Sequence, residues 1–331
     1  MPQARPRSMS RRDLFRSSLR AGAALALTEL AAPVFAQPRQ GGPEAARAVV
    51  AQVSSPSWRD EQGRVNPKAV RQMVDEAVKL LTGKAGASDA WRCFVSARER
   101  VAIKFNVMSL DFMRANAAMR DAIVQGLLDS GVPLRNITVV EDYGNQPLAG
   151  CWEPDFAPCG PEIEVHDRKT RLTRFIAAQA DCVINVPDLK HHHLCGLTCA
   201  LKNMSHSPAV MFGPEYMHQN CCDPYIAAMN ALKPIREKRR LNICAAFKGL
   251  AAGGPTPRDP ADQWDLHCVI ASADPVALDR VALEHLRQAR AARRLPELFR
   301  TASRPTYIAT AAKMGLGKDR LEEIEIRKAN L

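Results

Sequence analysis

The stretch from Pro187 to His206, PDLKHHHLCGLTCALKNMSH, gathers Lys190, Lys202, four histidines, Cys195, Cys199 and Asn203 within 20 residues. It follows a short apolar run, Cys182 to Val186, that reads as a buried strand. A hydrophobic interior does not hold so many cationic and metal-competent groups without partners, so the stretch points to a ligand site. Lys104 and Asn106 stand at the end of a second apolar run, Val101 to Phe105. A lysine placed there reaches out to water or meets an anion. Lys104, Lys190 and Lys202 together predict a pocket for a carboxylate or phosphate, with Asn106, Thr198 and Asn203 to orient it. The competing reading is three unrelated surface lysines. Gly-x-Gly-x-x-Gly and Walker patterns are missing, so a nucleotide phosphate loop is not expected.

The histidines admit two readings. On an extended segment, His191, His193 and Cys195 face one side by the period of two. With His206 and His218 they offer nitrogen and sulfur donors suited to a transition metal such as zinc, nickel, copper or iron. Their spacing matches no standard structural zinc motif. In the other reading one of His191, His192 and His193 transfers a proton beside Lys190, and the cysteines pack as small apolar residues. His218 lies in a polar stretch, Glu215 to Cys222, that reads as a loop or lid. No Cys-x-x-Cys-x-x-Cys run occurs, so a ferredoxin-type iron–sulfur cluster is not expected. The cofactor is otherwise undetermined.

The elements that must position these groups alternate in type. Strands are expected at 48–53, 101–105, 137–140, 182–186, 241–247, 266–271 and 324–327. Helices are expected from Pro67 (capped by Asn66 and stopped by Gly83), over 117–130, 171–180 and 224–232, and over 275–290 behind Asp274. The alternation predicts an α/β fold with a mostly parallel sheet and helices on both faces, Rossmann-like and open. Ligands of such sheets bind beyond the carboxyl ends of the strands. Asp142 follows one strand; Asp274 and Asp279 follow another and open its helix. Asp274 reads as an N-cap, and Asp279 as a helix-dipole partner that could also face the crevice.

Residues 1–36 read as a twin-arginine signal peptide. Ser10 to Arg16 holds the paired arginines, an Ala/Leu-rich segment follows, and Val34-Phe35-Ala36 suits a signal peptidase. A linker at 37–47 precedes one α/β domain at 48–331. The expected location is therefore the periplasm, and the translocase is a partner during export. Of the chain's net charge of +11, +4 belongs to the leader and +7 to the remainder, a moderately basic balance that fits anionic molecules. Aromatics make up 5% and do not interleave with basic runs, so nucleic acid is not expected. No segment reaches the length of a permanent membrane span. An oxidising compartment makes disulfides plausible for the ten cysteines, with Cys151–Cys159 a candidate pair and Cys221 and Cys222 seeking distant partners.

From about Val49 to Leu286 the chain resembles the family of the domain of unknown function numbered 362. The likeness rests on VAIKFN at 101–106, VINVPDLKHHHLCGLTCALKN at 183–203 and IASADPVALDRVA at 270–282. Pro187, Lys190, His191 or His192, Thr198, Lys202 and Asn203 match the family's ordered pattern; Asp274, Pro275, Ala277 and Asp279 match its helix start. Some members carry a ferredoxin-like segment that this chain lacks. Members often have an acid in the strand before a Gly-Gly-Pro turn, where this chain reads Ile243 to Phe247 without one. The pattern is also faintly similar to the catalytic domain of nickel-dependent lactate racemase, where a lysine tethers a cofactor and histidines handle metal and protons. Two functions follow. One is an exported enzyme binding a small anionic substrate in a Lys/His/Asn crevice, with or without a metal. The alternative is a periplasmic metal- or anion-binding accessory protein of a redox system.

Overall fold

The computed structural model describes residues 47–106, 115–140, 150–210, 213–256 and 258–331. The expected leader, nearly all of the expected linker and Asp142 lie outside the described residues. The strands are β1 (Ala48–Ser54), β2 (Val101–Lys104), β3 (Ile137–Val140), β4 (Pro158–Val165), β5 (Arg168–Thr173), β6 (Cys182–Asn185), β7 (Asp188–His192), β8 (Gly196–Thr198), β9 (Arg239–Leu250), β10 (Gln263–Ser272) and β11 (Ile324–Asn330). The α-helices are α1 (Pro67–Thr82), α2 (Ala87–Arg92), α3 (Asn116–Asp129), α4 (Ala200–Asn203), α5 (Pro214–Met217), α6 (Tyr225–Ala231), α7 (Lys233–Lys238), α8 (Pro275–Ala292) and α9 (Tyr307–Lys313).

The fold is mixed α/β around a mostly parallel central sheet. Its order is β11-β1-β10-β9-β6-β2-β3, with β7 on β9 and β8 on β7. Five pairings are parallel: β1 with β11, β2 with β3, β2 with β6, β6 with β9, and β7 with β9. The exceptions are β1–β10, β10–β9 and the β7–β8 hairpin, which are antiparallel. The sheet departs from parallel order at β10, which comes back from β9 through a loop rather than through a crossover helix.

Alternation of side chains along each strand builds two cores. Val101 and Ile103 of β2, Ile184 of β6 and Ile243 of β9 face α1 and α3. Ala102, Val183 and Cys244 face the opposite way, toward α4, α6 and α8. The caps act as their residue types predict. Asn66 Oδ1 accepts the Ala69 N–H at 3.3 Å, and Gly83 ends α1 at φ +70°. The apolar stripe Val70, Met73, Val74, Ala77 and Val78 is buried at helical spacing, and each large side chain in it is worth about 1.5–3 kcal/mol on burial. Residues 46–331 form one compact unit. Among the described residues no helix is long and apolar enough to cross a membrane.

The helix expected at 171–180 is not formed as such. Arg168–Thr173 is β5, paired antiparallel with β4, and only Phe175–Gln179 is helical, as a short π turn. The pairing buries Thr170 and Leu172 while their neighbours Lys169 and Arg171 stay exposed, an alternation that a helix would scramble. The Cys151–Cys159 pair is not formed either, and all ten cysteines are free thiols. Cys151 packs against the α1–α3 core, whereas Cys159 stands in β4 opposite Leu172.

Candidate functional site

β6 stops at Asn185, and β7 begins beside the same edge of β9 with Asp188 opposite Ala245. The bond from Ala245 N–H to Pro187 O, 2.9 Å, carries the pairing across the break. β8 then folds back on β7, with Lys190 directly opposite Thr198. Opposed residues of an antiparallel pair share a face, and both side chains line a cavity of ≈ 720 Å³. The hairpin turn needs Gly196, at φ +81°, where a Cβ would stand 2.7 Å from Ser303 O.

α4 follows the hairpin at once and adds Lys202 and Asn203 to the cavity wall. Four residues make a weak helix alone. Here both ends are held. The Asp279 carboxylate, reaching from α8, accepts the N–H groups of Ala200 at 2.6 Å and Leu201 at 3.2 Å. At the other end Asn230 Nδ2 donates to Leu201 O at 2.8 Å, and Arg239 holds the Asn230 side chain. Burial pushes the Asp279 carboxyl up to about 7 against the opposing pull of these N–H groups.

Behind the cavity runs a ladder of buried amides along the strand ends. Asn203 Nδ2 donates to Asn185 Oδ1 (2.7 Å) and to Lys104 O (3.3 Å). Asn185 Nδ2 donates to Asn242 Oδ1 (2.9 Å) and Ala200 O (3.0 Å), and Asn242 Nδ2 to Ser272 O (3.0 Å). Lys104 Nζ donates to Asn203 Oδ1 and Phe105 O, each at 3.4 Å. The ladder ties β2, β6, β9 and β10 together and fixes which way Asn203 points.

The cavity is cationic. Among the described residues its lining includes Lys190, Lys202, His192, His193, His206 and His218 and no carboxylate. Lys202 is 6% exposed, and no described acid forms an ion pair with it. Thr198 Oγ1 is buried without a hydrogen-bond partner. Burial, opposed by Asp188 and helped by the Lys202 charge, lowers the Lys190 ammonium to about 8.

The imidazoles differ in tautomer, as their bonds to the backbone imply. His192 Nδ1 accepts the Leu194 N–H at 3.2 Å, so its proton sits on Nε2. His206 Nδ1 lies 3.2 Å from Lys202 O, an acceptor only, so this nitrogen carries the proton and Nε2 holds the lone pair. His193 Nδ1 likewise donates to Gly254 O at 2.8 Å. Gly254 is required there, since a Cβ would fall 1.7 Å from His191 O. The rings of His193, His192 and His218 stack, with centroids 5.2 and 5.5 Å apart. Burial, then repulsion from Lys202 and its histidine neighbours, drives His192 far below the usual imidazole range. Burial, then Lys202 and Lys104, holds His206 down to about 3.

Several expected placements are corrected. Lys104 is fully buried behind Asn203 and does not line the cavity, so two lysines rather than three face it. His191 points away from the cavity, because β7 keeps its alternation and presents Lys190 and His192 instead; burial lowers it to about 4. The strand ends at His192, so the period of two does not carry on through His193 to Cys195. Cys195 is fully buried, and burial raises its thiol well above the ordinary value. Among the described residues no group of three or more His, Cys, Asp or Glu side chains is placed to hold a metal. The shell of His191, His193, Cys195, His206 and His218 is thus not assembled. Asp274 is an N-cap, accepting from Val276 and Ala277 at 2.8 and 2.9 Å, and neither it nor Asp279 lines the cavity. Asn106, Thr198, Lys202, Asn203, His206 and His218 do line it. Sequence reasoning missed Asn242 and the apolar wall of Phe156, Pro158 and Val210. An asparagine inside an otherwise apolar strand was the available signal for the first.

Comparison with known proteins gives a family-model match over part of the chain and no activity. The model described as "Domain of unknown function (DUF362)" matches residues 138–284, which include β6 to β10 and α4. No curated protein matches the chain. Among solved structures, a structural-genomics target from Thermotoga maritima is similar at 8% identity and a TM-score of 0.38. That match takes in 69% of this chain and 59% of the length of the other.

Proposed function

We propose that this is an exported enzyme that binds a small anionic substrate between Lys190 and Lys202 and transfers a proton to or from it through His206. The observation that carries the reading is Lys202: an ammonium nine-tenths buried, at a cavity whose described lining residues include no carboxylate, held by a helix clamped at both ends. A buried charge without a counter-ion is costly, and an anionic guest relieves that cost. Thr198 Oγ1 and the Nε2–H of His192 supply neutral hydrogen bonds.

Proton transfer follows from the same arrangement. His206 is neutral at working pH with its lone pair on Nε2. The charge of Lys202 is one cause of its low basicity. An anion that offsets that charge raises His206 toward the range in which a general base works. Binding therefore prepares the base. The product state is an imidazolium beside an anion, with Lys190 near its own titration point as a second proton carrier.

The test is calorimetry with hydroxy acids, sugar acids and phosphate esters, followed by NMR in deuterium oxide for exchange of substrate protons. Binding that vanishes in Lys202→Ala, with exchange that vanishes in His206→Gln, is the expected result. Binding without exchange assigns the protein to anion carriage as an accessory protein. Export by the twin-arginine route to the periplasm is checked by the N-terminus of the mature protein, expected near residue 37.

A further inference from the structure

We infer that the ligand is an amphiphilic anion: a carboxylate or phosphate head joined to an apolar body of several carbons. The inference rests on the anion reading and extends it to the rest of the molecule bound. Inorganic phosphate or acetate occupies the space of only a few waters, at about 30 Å³ each. The cavity is ≈ 720 Å³, within the range of roughly 300–1,000 Å³ found for sites of drug-sized organic molecules. A head group held by Lys190, Lys202 and Thr198 leaves most of it empty.

The rest of the lining is not built for water. Phe156, Pro158, Ala209 and Val210 form one wall, carried by the β4–β5 hairpin and the segment that pairs with it through Leu172 and Ala209. Leu194 and Pro255 add apolar surface near the turn of the β7–β8 hairpin. Phe156, Leu194 and Val210 are 43%, 36% and 39% exposed. They make up three of the nine large apolar side chains exposed among the described residues. Exposed apolar side chains gathered at one opening mark a binding surface. A lining that holds both ammonium groups and apolar side chains is complementary to a guest with a charged end and a hydrophobic end.

The experiment is titration calorimetry of the full protein with inorganic phosphate, phenyl phosphate, butyl phosphate and octyl phosphate, the last below its micelle concentration, and with octanol as the uncharged control. Affinity is expected to rise from phosphate to phenyl and butyl phosphate by tenfold or more, since each buried methylene contributes roughly fourfold. The gain is expected to shrink in a Phe156→Ser, Val210→Ser double variant, while inorganic phosphate binds as before. Equal affinity for all four phosphates overturns the amphiphile and leaves the anion site standing. Octanol binding as tightly as octyl phosphate, or no phosphate binding at all, overturns both.

Discussion

The Asp279 carboxylate of α8 accepts the Ala200 N–H at 2.6 Å and thereby fixes the first turn of the helix that carries Lys202 and Asn203. A residue 79 positions away in sequence sets the geometry of the proposed anion site without touching the cavity. Asp279→Ala leaves two buried N–H groups without acceptors, at about 1–3 kcal/mol each. Urea unfolding is expected to show a loss on the order of 2–5 kcal/mol, and ligand binding is expected to weaken with it.

The same group gives a pH dependence of unusual sign for a carboxylate. Its folded pKa, about 7, lies above the ordinary value of 3.8. Between these values the folded protein keeps a proton that the unfolded chain has released. This contribution to stability is present below the unfolded pKa and is lost as pH rises to about 7. Thermal melts of Asp279→Asn, which keeps an acceptor and cannot ionise, are expected to lack the decline that the unaltered protein shows from pH 4 to 7.

Lys202 separates binding from stability. Its ammonium is buried without a described counter-ion, so Lys202→Met removes a desolvation cost and keeps the packing of the stem. The melting temperature is expected to hold or rise by a few degrees, and anion affinity to fall at least tenfold. A purely structural lysine would give a lower melting temperature instead.

On the proposed reading, Lys190 sets the upper pH limit of binding. Its folded pKa, about 8, lies below the ordinary 10.5. The cation is therefore present below about 8 and lost above it. Anion affinity measured by calorimetry is expected to fall by roughly tenfold per pH unit above that point, one proton being linked to binding. Lys190→Arg, which stays charged, is expected to flatten the profile.

Local chemistry made much of the fold legible. Asn66 with Pro67 and Gly83, and Asp274 with Pro275, act within a few residues of themselves, and the structure uses them as their types predict. The gathering of Lys190, Lys202 and Asn203 at one strand end was legible for the same reason. What depended on distant partners was not. Arg168–Thr173 reads as a helix until β4 lies beside it. Lys104 reads as a pocket lysine until Asn203 closes over it. The alternation of β7 could be assigned to a face only once the strand's end at His192 was known, and that end is set by Gly196 and the loop at Gly254.

The amide ladder is expected to act as one unit. Asn185→Ala removes an acceptor from Asn203 and a donor from both Asn242 and Ala200 O. A cost of about 2–4 kcal/mol in urea unfolding is expected from the buried groups left unpaired. Double variants with Asn203→Ala are expected to lose less than the sum of the single changes, since the two share a bond.

The most direct measurement is a crystal structure soaked with selenate and collected at the selenium edge. The account predicts an anomalous peak at the cavity wall, within hydrogen-bond distance of Lys202 Nζ and Thr198 Oγ1 and near Lys190. A fully occupied lattice of solvent there, with selenate bound only at other surfaces, would contradict it.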